Sequence, residues 1–150
     1  MVNAFKQDNY AGVGDYGFEM KRLWCTEAVT AADAISWYPS DTTNQASLAG
    51  FSFRRAISSN ADAVQGICGI AMETTTAAGF VNVQIAGKYA SANVDSGAAV
   101  VIGDALQVGG TAGRLVEKTN DATLRAAAIC LSTPSGNTAD VVLLKHPMFG

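Results

Sequence analysis

A mainly β fold, a small β-barrel or sandwich knob with an extended N-terminal arm, is what this sequence predicts. Three observations carry that expectation. Short apolar runs recur at a spacing of roughly ten residues, which suits strands joined by turns better than alternating strand and helix units. Between them lie clusters of Gly, Asn, Asp, Ser and Pro, residues that make turns through permissive dihedrals or local side-chain bonds. In Val81-Asn82-Val83-Gln84-Ile85 apolar and polar positions alternate strictly, which is the period of a half-buried strand. At 150 residues the chain has the size of one domain. A domain of that size buries about 70% of its unfolded surface, so its core needs no disulfide or metal.

Residues 1–17 read as the arm and 18–150 as a single β-rich domain. The arm mixes Gly, Asn, Asp and Gln with isolated rings, Phe5, Tyr10 and Tyr16, and shows neither a strand nor a helix period. Rings spaced along a pliable backbone dock into another surface through their large apolar area; the bland alternative is an unstructured terminus. From Phe18 the β-like runs begin. FEMKRLWCTEAV puts Phe18, Met20 and Arg22 on one side, and AISWY stops at Pro39. LAGFSFRRAIS sets Phe51 and Phe53 on one face, with Arg54 and Arg55 at its far end. VQGICGIAMETT, FVNVQIAGKY, AVVIGDALQVGG, GRLVEKT, LRAAAICLST and ADVVLLKH continue the series. Alanine-rich EAVTAADA and TLRAAAIC are candidates for short helices.

Composition narrows the function classes. Charged residues are 15% of the chain, against roughly 25% in an average globular domain. A surface that poor in charge suits a protein that hides part of itself in an assembly. Net charge is −3, and the only basic pairs are Lys21-Arg22 and Arg54-Arg55. Nucleic acid is therefore not an expected partner, because its binding needs concentrated positive charge to displace counterions. No apolar run reaches the roughly eighteen residues of a membrane helix, and MVNAFKQDNYAG lacks the apolar segment of a secretory signal. No membrane partner is expected. Cys25, Cys68 and Cys130 are odd in number and lack C-x-x-C spacing, so they read as buried reduced thiols rather than a zinc site or disulfide set.

Gly12-Val13-Gly14-Asp15-Tyr16-Gly17 matches the G-x-G-x-x-G pattern of dinucleotide-binding loops. That loop works only between a buried strand and the N-terminus of a helix. Here FKQDNYA precedes it, too polar for such a strand, and FEMKRLWC follows without a helical stripe. Asp33 lies at the distance of a ribose contact, but nothing else supports one. The glycines read as hinges of the arm. His146, the one histidine, has no serine or cysteine in a nucleophile-elbow setting. Asp62, Glu73, Asp95, Asp104, Glu117, Asp121 and Asp140 are spread singly, several in turns where Asp bonds its own backbone. The expectation is a protein that is not an enzyme, with no cofactor and no metal site.

From Ala63 to Leu144 the chain runs through GKYASANVDSGAAVVIGDALQVGGTAGRLVEKT, then AAAICLS and ADVVLLK. The pattern is a strand, the step Gly103-Asp104-Ala105-Leu106, a Gly-rich turn, the short strand Gly113-Arg114-Leu115-Val116, a small-residue strand and a closing Val-rich strand. In this order it resembles the decoration, or cement, proteins of tailed-bacteriophage heads. The likeness covers roughly the C-terminal half; residues 1–60 match no family pattern. It implies a β-barrel-like homotrimer made in the host cytoplasm and placed on the outer capsid surface of the virion. There it would clamp neighbouring major capsid subunits. On this resemblance Phe5, Tyr10 and Tyr16 are anchors, and Lys21, Arg22, Arg54 and Arg55 meet an acidic capsid surface. The plain alternative for the arginine pairs is a solvated strand end. The competing class is a carbohydrate-binding or tail-associated β module, which needs a platform of exposed rings. Trp24, Trp37 and Tyr38 are the candidates, but Trp37 and Tyr38 face opposite ways in an extended chain, and core packing explains them better.

Overall fold

The computed structural model describes residues 17–38, 52–59, 67–95, 99–119, 125–146 and 149, the side chains of Ile67 and Cys68 excepted. The chain is mainly β. Its strands are β1 (Glu19–Cys25), β2 (Ala34–Trp37), β3 (Ser52–Arg55), β4 (Ile67–Ala71), β5 (Gly79–Asn93), β6 (Ala105–Val108), β7 (Leu115–Glu117), β8 (Ala128–Cys130) and β9 (Thr138–Leu143). They form one nine-stranded sheet in the order β1-β3-β2-β4-β5-β9-β8-β6-β7.

That sheet closes on itself. β1 runs antiparallel to β5 from Glu19 opposite Ala86 to Cys25 opposite Gly79, and parallel to β3 at Trp24 and Cys25. β1, β3, β2, β4 and β5 thus make a ring. A single parallel bridge, Val94 to Leu115, links the end of β5 to β7 and brings β5, β9, β8, β6 and β7 into a second loop of strands. The closure is ring-like rather than that of a regular barrel. The long β5 belongs to both halves.

Two cores follow from this arrangement. Leu23, Cys25, Val29, Ile35, Phe53, Ala71, Val81, Val83 and Ile85 fill the first ring. The alternation of Val81, Val83 and Ile85 sends those three inward, as the sequence predicts. The second core gathers Leu106, Val108, Leu115, Val141 and Leu143 with small residues such as Ala92 and Ala128. Ala34 and Ile70 join this second core from the outer face of the first ring. The second half therefore covers part of the first ring's outside.

The seam is held at Asp33. Its carboxylate accepts the Thr30 N–H at 2.8 Å and the Asn93 side-chain amide at 3.0 Å, and the residue is buried. Gly113 rests against it with φ +79, and a Cβ there would lie 2.5 Å from Asp33 Oδ1. The Gly113 carbonyl accepts the Ala34 N–H, while the Gly113 N–H donates to Ala56. Asp33 thus serves the joint between the two halves.

Two expectations change. The described residues of EAVTAADA and TLRAAAIC form no helix; the first is turn and loop, and the second runs into β8. Alanine's helix preference is weak and tertiary bonding overrides it. Here Val29 and Ala31 donate their N–H groups to Thr75 and Thr74 hydroxyls, Thr30 donates to Asp33, and Ala32 sits at φ +79. Gln84, expected on a solvated face, is buried because its amide donates to the Ala86 and Lys88 carbonyls across a bend in β5.

Candidate functional site: an aromatic and arginine strip

Among the described residues, the second half leaves the outer face of the first ring uncovered along β1 and the start of β5. Leu23 and Cys25 point inward, so strand alternation turns Phe18, Met20, Arg22 and Trp24 outward. The inward Val81 and Val83 turn Phe80 and Asn82 to the same side. Register sets Arg22 opposite Asn82 and Trp24 opposite Phe80. Phe18, Met20 and Phe80 are 44%, 51% and 49% exposed, large values for such side chains.

The rings meet edge to face. Trp24 and Phe80 have centroids 5.2 Å apart and planes at 79°, a geometry favoured by the ring quadrupoles. The Arg22 guanidinium lies 5.9 Å from the Phe80 centroid and 3.4 Å from Asn82 Oδ1. Across β1, Ser52 pairs with Trp24, and Arg54 on the same face of β3 sets its guanidinium 3.7 Å over the Tyr38 ring. The result is a strip in which two arginines each adjoin an aromatic ring, with Trp24 between them. Within it the buried Trp24 Nε1, Ser36 Oγ and Ser52 Oγ have no hydrogen-bond partner.

The four basic residues singled out in the sequence do not form two patches. Neighbours on a strand face opposite ways, so Lys21 and Arg22 diverge, and so do Arg54 and Arg55. Lys21 and Arg22 are both exposed and make no ion pair among the described residues. Arg55 is bound to Glu27 at 2.7 Å, a bond that pushes the guanidinium pKa upward. Phe5, Tyr10 and Tyr16 lie outside the described residues, as does all of the glycine motif except Gly17. Trp37 packs against the first core as expected. Trp24 and Tyr38 do not: they stand on the outer face.

Cys25 and Cys130 are buried free thiols, and burial, with Glu27 nearby, pushes the Cys25 thiol up to about 12. Asp104 bonds the Val101 N–H of its own turn, Asp140 takes the Ser91 N–H, and Glu73 takes the Asn82 N–H. Among the described residues no group of three or more His, Cys, Asp or Glu is placed to hold a metal ion. No helix among the described residues is long and apolar enough to cross a membrane.

Comparison with protein-family models, curated proteins and solved structures finds no match to this chain.

Proposed function

We propose that this chain is a decoration, or cement, protein that binds the outer surface of a tailed-phage head and stabilises contacts between major capsid subunits. The observation that carries the reading is the uncovered strip of β1 and β5, an apolar and cationic sheet face on a strand-paired frame. An exposed apolar face of that kind marks a surface made to meet another protein. The sequence resemblance names the partner, and the low charge content suits a chain that works within an assembly. A homotrimer engaging several capsid subunits at once would turn modest contacts into firm attachment through effective concentration. No catalytic step, cofactor or metal enters this reading.

The carbohydrate-binding alternative gains one observation, since Trp24, Phe80 and Tyr38 share the outer face. Ring geometry works against it. Arg54 covers the Tyr38 ring, and Trp24 meets Phe80 near a right angle, so these three rings offer no flat stacking platform.

Co-sedimentation with mature, decoration-free heads of the encoding phage tests the proposal, using the full chain and a version lacking residues 1–17. Stoichiometric pelleting of the full chain is expected, and weaker pelleting of the shortened chain would make the N-terminal segment an anchor. Absence of pelleting by the full chain would overturn the reading.

A further inference from the structure

We draw no further inference here: the strongest candidate, the exposed apolar face that Phe18, Met20 and Phe80 form along β1 and the start of β5, carries nothing further because nothing in the structure shows what covers it.

Discussion

Asp33 shows how one side chain fixes the joint between two cores. Its oxygens hold the Thr30 N–H and the Asn93 amide, and Gly113 packs where a methyl group would collide with it. Asp33→Ala leaves those donors without a partner in a buried place, so unfolding free energy from urea titration should fall by roughly 2–4 kcal/mol. Sequence reasoning placed Asp33 only as a doubtful ribose contact, because nothing local shows that it reaches Asn93 sixty residues on. Cys25 makes a second residue-level prediction. Its thiol keeps the proton up to about pH 12 in the folded chain, against 9.0 as its ordinary value. The contribution is whole below pH 9.0 and is lost as pH rises through the window toward 12, because unfolding then releases a proton. The parent should lose up to about 1.4 kcal/mol per pH unit in that window beyond any loss in Cys25→Ala. Equal alkaline slopes for the two chains would contradict the assignment.

At the level of elements, the strands were legible and their continuation was not. FVNVQIAGKY gave the first half of β5 through alternation, but the strand runs on to Asn93. Gly87 at φ +89 and Ser91 at φ 59 break the period, and the pairing with β9 shifts register between Tyr89 and Ala92. A Cβ on Gly87 would stand 2.9 Å from the Phe18 backbone, so only glycine lets the segment leading into β1 approach at this bend. Gly87→Ala should lower stability by about 1–3 kcal/mol, read as a fall in the urea midpoint. The strip itself was half legible. Phe18, Met20 and Arg22 were assigned to one face from spacing alone, and that face is the outer one. The meeting of Trp24 with Phe80 depends on the β1–β5 register, which local patterning does not reveal. Reading Arg54 and Arg55 as a pair overlooked the pleat that sends them apart.

For the whole molecule, the shared β5 has a thermodynamic consequence. One strand contributes Val81, Val83 and Ile85 to the first core and Ala92 to the second, so neither half can lose its packing without disturbing the other. Unfolding should be a single cooperative transition. Ile85→Ala and Leu106→Ala, one in each core, should each lower that transition by about 2–5 kcal/mol. Both tryptophans lie in the first half, so their fluorescence should change together with the far-ultraviolet dichroism of the whole sheet. Two separated transitions would show that the halves fold independently.

Among the described residues the same architecture leaves one flank of the first ring uncovered, and the proposed function depends on what covers it. The most direct test of the proposed decoration role is a cryo-electron microscopy reconstruction of mature, decoration-free tailed-phage heads saturated with this chain. The expected map has the protein bound at the outer surface, with the β1–β5 face of Met20, Arg22 and Phe80 turned toward the shell. Heads that carry no bound protein at saturation would contradict the decoration role.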